Sequence, residues 1–439
     1  MKRRDFLLAA ATAVVATPQL GSIANAATMR TATPAPPRKP AYYVGDYTPS
    51  LEMYSFNLNL NAAIKGKKGT PPITLPDAIT WAASVGFKAV DITCYYLPGY
   101  DTHTMPTVPT PQIMAYAGQI RAQCQQLGLA ISGTGAFNDF ADPNAARVAL
   151  DIQRVQFWTD VAAAMGAPVM RVFSGVVPAD INQFGWAAIT QNRIVPALRQ
   201  VTEYAATKGV RIVLQNHGDM TATADQTIQM LTWVDHPNIS IIDDTGYFRP
   251  FQAANGFGYN WYPDIAKVLP YSASIQLKKE PAGEGTLIPM DLNRVLTDLR
   301  LADYRDFIPL ELLWVPGEVG YPKDLTIPPF DQISTFQGKV EAAIAQTRVP
   351  PFDAVRQSLA GFAESGDVAG PVRDHLYDLV RQADDHLRDQ HGDQSIPRMR
   401  DFIALVAAPG PSSAISATAA QALTQQMNTY LLSFTDVFG

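Results

Sequence analysis

Cysteine is almost absent, two residues in 439, and neither sits in a C-x-x-C pair. That excludes a disulfide framework and a thiolate metal knuckle. Positive charge is nowhere concentrated: 34 Lys and Arg stand against 40 Asp and Glu, a formal net charge of -6, which argues against nucleic acid as a partner. Long apolar runs are missing too, apart from one at the extreme N-terminus. The first apolar run of the body is followed by Asn57-Leu58-Asn59-Leu60 and not by a glycine-rich turn, so a nucleotide-binding phosphate cradle is lacking. What the chain does have is core material. Hydrophobic residues make up 47% and charged residues only 17%, enough for a large buried interior.

The N-terminal apolar run has the layout of an export signal. Lys2, Arg3 and Arg4 precede Asp5-Phe6-Leu7-Leu8, an Ala/Val-rich stretch follows from Ala9 to Ala16, and Ala24-Asn25-Ala26 offers a small-residue cleavage site. The segment is too short for a spanning helix. Arg3-Arg4-Asp5-Phe6-Leu7 resembles a twin-arginine signal, which implies a periplasmic or extracellular protein with no stable membrane anchor after cleavage. Removing residues 1–26 deletes three positive charges and one negative, which takes the charge from -6 to -8. A protein so charged is not built to gather phosphosugars by bulk electrostatics. Residues 27–48, with Pro34-Ala35-Pro36-Pro37, read as an extended linker.

Beyond the linker, eight short apolar runs alternate with amphipathic helical stretches. The runs are 51–56, 89–94, 130–133, 169–173, 210–214, 240–243, 272–277 and 307–312. Helices are expected from Pro76, over 113–127, over 148–165 with Val148, Ile152, Val155 and Val161 at helical spacing, and over 194–207 and 292–301. This repetition predicts an α/β fold, a (β/α)8 TIM barrel over residues 49–348, in preference to an open doubly wound sheet. After Val349-Pro350-Pro351 only helical periodicity remains. Four stripes, among them Leu376, Leu379, Ala383 and Leu387, predict a small all-α bundle over residues 349–439. The phrases Val355-Arg356-Gln357-Ser358-Leu359, Arg398-Met399-Arg400-Asp401-Phe402-Ile403 and Ala419-Ala420-Gln421-Ala422-Leu423 resemble the FIMAH helical module of secreted bacterial enzymes.

Reactive groups of such a barrel gather at the C-terminal ends of its strands. Polar residues interrupt the apolar pattern there in Gln215-Asn216-His217, Asp243-Asp244-Thr245-Gly246, Gln276-Leu277-Lys278 and Leu310-Glu311. A polar side chain inside a strand that is apolar on both sides must find a partner. Four of them from four consecutive strands would converge on the barrel axis, and oxygen donors converging so suit a hard divalent cation such as Mg²⁺, Mn²⁺ or Ca²⁺.

These four phrases, in this order, resemble the xylose isomerase-like TIM barrels, the sugar isomerase and epimerase group. The resemblance implies metal ligands at Gln215, Asp244, Gln276 and Glu311. The family's commonest pattern has Glu and His where this chain has Gln215 and Gln276, so one ligand charge is lost and attraction for the ion weakens. Asp243 or Asp219 would offset part of that loss. The implied chemistry is proton transfer next to a carbonyl of a small carbohydrate, with Glu311 as base. Gln215 cannot serve as the second base, which favours isomerisation by one base or β-elimination from an oxidised sugar. His217 is the candidate assisting acid–base, since an imidazole titrates near neutrality. Lys278 would stabilise an enolate oxygen, and Tyr247, Trp314, Glu52 and His217 would contact substrate. Asp91, Tyr54, Phe137, Phe248 and Trp261 are further candidates near strand ends. Cys94 and Cys124 fall on opposite faces and are expected to stay reduced. A keto-glycoside lyase and a non-catalytic carbohydrate-binding protein with a degenerate metal site are the alternative readings, and a homo-oligomer is compatible with all of them.

Overall fold

A computed structural model describes residues 47–66, 70–248, 260–280, 289–312, 328–408 and 414–439. The export segment and most of the linker lie outside the described residues. Each apolar run contributes a parallel strand: β1 (Thr48–Glu52), β2 (Ala89–Asp91), β3 (Ala130–Gly135), β4 (Val169–Phe173), β5 (Arg211–Gln215), β6 (Ile239–Asp244), β7 (Ser272–Lys278) and β8 (Phe307–Glu311). They close in chain order into a barrel, with β1 pairing both β2 and β8. Strands buried on both faces need apolar side chains throughout, which is why they appear as short continuous runs rich in Val and Ile.

The first strand departs from expectation. It spans Thr48–Glu52, and Met53–Phe56 forms a 3-10 turn where strand was expected. The Glu52 carboxylate accepts the backbone N–H of Tyr54 at 3.1 Å and so starts that turn. Helix starts follow local chemistry elsewhere. Thr74 caps Leu75–Ser84, which carries Pro76 in its first turn, and Asn144 caps Ala145–Met165, which Gly166 ends in the left-handed conformation. Thr223 and Gln226 form a reciprocal capping box on Ala224–Val234.

The main core lies between strands and surrounding helices, with Trp158, Phe56 and Phe140 among its largest buried side chains. Helices Pro351–Glu364, Gly370–Arg388, Gly392–Ala407 and Ala417–Phe438 build a second core from Val355, Leu376, Met399, Phe402, Leu423 and Phe434. Leu301, at the end of the barrel helix Leu292–Leu301, is part of that second core. Arg294 of the same helix holds Asp436 through two bonds of 2.6 and 2.9 Å. Among the described residues no helix is long and apolar enough to cross a membrane.

Candidate active site at the barrel mouth

Gln215, Asp244 and Glu311 are the last residues of β5, β6 and β8, and Gln276 lies across from Asp244 in the strand register. All four are buried. They converge and are joined directly. The Gln215 amide donates to Asp244 Oδ2 at 2.5 Å and to Gln276 Oε1 at 2.7 Å, and the Gln276 amide donates to Glu311 Oε2. Gln276 and Lys278 are two apart on β7 and so share its inner face. Lys278 Nζ consequently lies between the two acids, 2.6 Å from Glu311 Oε2 and 3.3 Å from Asp244 Oδ2.

The Asp244-Thr245-Gly246 phrase makes this geometry. Thr245 Oγ1 accepts the Lys278 backbone N–H at 3.0 Å, tying the end of β6 to β7. Gly246 N–H donates to Asp244 Oδ1 at 3.0 Å and orients the carboxylate. A Cβ on Gly246 would stand 2.5 Å from Lys278 Cγ, so only glycine leaves room for the lysine stem. Asn216 exchanges two bonds of 2.8 Å with the backbone of Asp244. Its role is to clasp β5 to β6.

Burial disfavours charge on Lys278, but the Asp244 and Glu311 carboxylates outweigh it and raise its pKa. Burial pushes Glu311 above the ordinary carboxylate range against the pull of the Lys278 ammonium. A fixed ammonium therefore faces a buried carboxylate.

The donor set does not fit a divalent ion in this arrangement. Two neutral amides aim N–H groups at the carboxylates, and the gap between Asp244 and Glu311 is taken by an ammonium. A dication about 3.5 Å from that ammonium would be repelled by on the order of 9 kcal/mol at an effective dielectric near 20. Gln215 Oε1 is a buried acceptor without a hydrogen-bond partner among the described residues. Asp243 gives no such help, because neither of its buried oxygens has a partner among the described residues and burial drives its pKa well up, towards the neutral form. Asp219 stands apart, 3.6 Å from His217 Nδ1.

His217 lies on the rim, about a third exposed. It stacks on Tyr247 with ring centroids 4.3 Å apart and meets the Phe173 ring edge-on at 4.8 Å. Tyr247 also lies 5.0 Å from Lys278 Nζ. Trp314 lies outside the described residues. Phe248 is fully buried in the main core. Cys94 and Cys124 are both free and buried, with the Cys94 thiol pushed up to about 12 by burial.

A second polar group occupies the other side of the barrel. Glu52 and Asp91 are register partners across β1 and β2, and Thr93 Oγ1 donates to Glu52 Oε1 at 2.7 Å. Burial raises both acids, Glu52 well above its ordinary value and Asp91 to about 6, so the two titrate as a pair. Arg171, from β4, completes this group. Sequence reasoning missed it, although Val169-Met170-Arg171-Val172-Phe173 shows the same polar interruption of an apolar strand that marked Gln215 and Gln276. Glycines on β3 make the space: a Cβ on Gly133 would be 2.4 Å from Asp91 Oδ2, and one on Gly135 2.6 Å from Arg171 Nε.

Comparisons with known proteins agree with this architecture. The family model described as a xylose isomerase-like TIM barrel matches residues 79–326, and that of the FIMAH domain matches residues 352–431. A stretch of 174 residues is 27% identical to a Pseudomonas putida protein named 3-dehydroshikimate dehydratase. It covers 39% of this chain and 24% of that protein, so the chain spans about a quarter of that relative. The structure of an L-ribulose 3-epimerase is similar with a TM-score of 0.50 at 13% identity, over 69% of this chain and 96% of that one. The IolI protein, solved with a bound zinc atom, gives a TM-score of 0.48 at 12% identity, over 68% of this chain and 99% of that one. At these identities the likeness is one of fold.

Proposed function

The chain belongs to the xylose isomerase-like TIM barrel family, and on the geometry of its barrel mouth we propose that it moves a proton at a carbon next to a carbonyl. The substrate would be a small, non-phosphorylated, polyhydroxylated compound of the carbohydrate class. The observation that carries this reading is the buried Glu311 carboxylate in contact with a buried Lys278 ammonium. Glu311 takes the proton from carbon, and the electron pair moves to the carbonyl oxygen as an enolate forms. Lys278 donates to that oxygen where its charge develops, while Asp244 holds the ammonium in place. A donor so placed typically contributes about 10²–10³ in rate, and a positioned base about 10²–10⁴.

Strand five presents an amide, so the site has one base at this centre. Returning the proton to the neighbouring carbon, while the hydroxyl proton of the first carbon passes to the former carbonyl oxygen and a new carbonyl forms there, gives an isomerase. Losing an oxygen substituent from the β-carbon gives a lyase, with His217 supplying the proton to the departing oxygen. The name of the Pseudomonas putida relative, a dehydratase, favours the second branch. Product analysis separates the two, because a lyase releases a fragment and an isomerase conserves mass. A Glu311→Gln variant is expected to keep its circular dichroism spectrum and lose turnover; normal turnover in it would refute the assignment and leave a carbohydrate-binding protein. Residues 1–26 are read as a twin-arginine export signal. Cell fractionation should find the mature protein outside the cytoplasm and an Arg3→Lys, Arg4→Lys precursor retained within it.

A further inference from the structure

Three arginines of this protein hold carboxylates directly, Arg154 with Asp151 at 2.6 Å, Arg294 with Asp436 at 2.6 Å and Arg356 with Asp384 at 2.5 Å, while the buried Arg300 donates to the Ile344 carbonyl at 3.5 Å. Arg171 lies on the inner face of a closed barrel and makes no such pair among the described residues. Its hydrogen bonds all come from Nη1, to Tyr95 Oη at 3.1 Å and to the Ala136 carbonyl at 3.4 Å. Nε and Nη2 have no partner among the described residues.

Phe173 and Gly135 flank the guanidinium of Arg171. The guanidinium carbon lies 4.3 Å from the centroid of the Phe173 ring. A Cβ on Gly135 would be 2.6, 2.8 and 2.9 Å from Nε, Cζ and Nη2, nearly equidistant, so the glycine lies over the face of the group and not against its edge. Arg171 remains partly accessible while Gln215, Gln276 and Glu311 are buried, and an accessible side chain on the inner face can only be reached from the barrel interior. The Glu52–Asp91 pair acts on Arg171 only at longer range, since no ion pair within 4.0 Å joins them among the described residues.

We propose that the free Nε–Nη2 edge of Arg171 binds a carboxylate of the substrate, so that the substrate is a polyhydroxylated oxo or hydroxy acid and not a neutral sugar. A planar fork with two parallel N–H donors matches a carboxylate bidentately, and a carboxylate there would give Arg171 the direct ion pair it lacks among the described residues. Phe173 links this position to the proton-transfer site, because the same ring meets His217. The assignment rests on the reading of the mouth as a proton-transfer site but is tested separately from it.

The test is isothermal titration calorimetry at low ionic strength with matched probes, D-glucuronate against D-glucuronamide and quinate against quinamide. At least one acid is expected to bind ten-fold or more tighter than its amide. Arg171→Gln is expected to remove that preference by weakening the acid alone. Glu311→Gln is expected to keep it. Equal affinity of acid and amide in the wild-type protein, or no heat from either acid, would overturn the proposal, and this comparison stands even if the Arg171 variant fails to fold. Acid preference without solvent exchange into any substrate would sink the proton-transfer reading and leave the carboxylate site intact. Exchange without acid preference would do the reverse.

Discussion

Lys278 is the residue around which the site is organised, and its consequences are measurable. Lys278→Met should lower kcat by about 10²–10³, the cost of losing one oriented donor to a developing oxyanion; a kinetic comparison checks it, and unchanged kcat would remove Lys278 from the reaction. Since the ammonium already supplies positive charge between Asp244 and Glu311, chelator treatment should leave turnover unchanged. Metal analysis of the purified protein finding one divalent ion per chain would contradict this. Asp139 gives a pH test away from the site. Burial raises its carboxyl to about 6, although Ala141 N–H and Val176 N–H donate to it at 3.1 and 3.2 Å. Its folded value exceeds the unfolded one near 4, so stability falls as pH rises from about 4 to about 6 and the loss is complete above that. Asp139→Asn should flatten this part of the denaturation profile; an unchanged slope would contradict the assignment. Residue identities were partly legible in sequence. Gln215, Asp244, Gln276, Lys278 and Glu311 announced themselves as polar breaks in apolar strands, and so did Arg171, but it had no familiar flanking phrase to draw attention to it. The role proposed for it depends on the absence of a direct ion pair among the described residues, which is visible only in three dimensions.

At the scale of elements, the strands were readable because a sheet buried on both faces demands uninterrupted apolar runs, and the helices because one face is apolar at a 3.6 period. The end of β1 was misjudged for a tertiary reason. Leu51 to Phe56 is apolar enough for a strand, but Glu52 folds back on Tyr54 and the chain turns. The clearances offered by glycines were not legible either, since nothing in a linear sequence says which side chain will cross a glycine. Gly246→Ala tests one of them. Its methyl group would meet Lys278 Cγ at 2.5 Å, and the expected cost is about 1–3 kcal/mol of stability, together with a fall in kcat as the ammonium is displaced. Chemical denaturation and steady-state kinetics measure the two effects, and a variant unchanged in both would show that the lysine stem has room to spare.

For the whole molecule, the four apolar stripes after residue 349 did foretell the helical bundle, whereas its attachment to the barrel was invisible in the sequence. Leu301 belongs to the bundle's core although it sits on a barrel helix, and Arg294 reaches Asp436 near the C-terminus. Barrel and bundle should therefore unfold in one calorimetric transition. Leu301→Ala should lower stability by about 2–5 kcal/mol and separate the two; independent transitions in the wild-type protein would contradict this coupling. The account as a whole makes the mouth of this barrel a place where carbon-bound hydrogen exchanges with solvent. Proton NMR of candidate ketoses and oxo acids in D₂O tests that most directly. The expected result is loss of one C–H signal next to a carbonyl with the wild-type protein and its persistence with Glu311→Gln. Persistence of every such signal with the wild-type protein, or equal loss with the variant, would contradict the account.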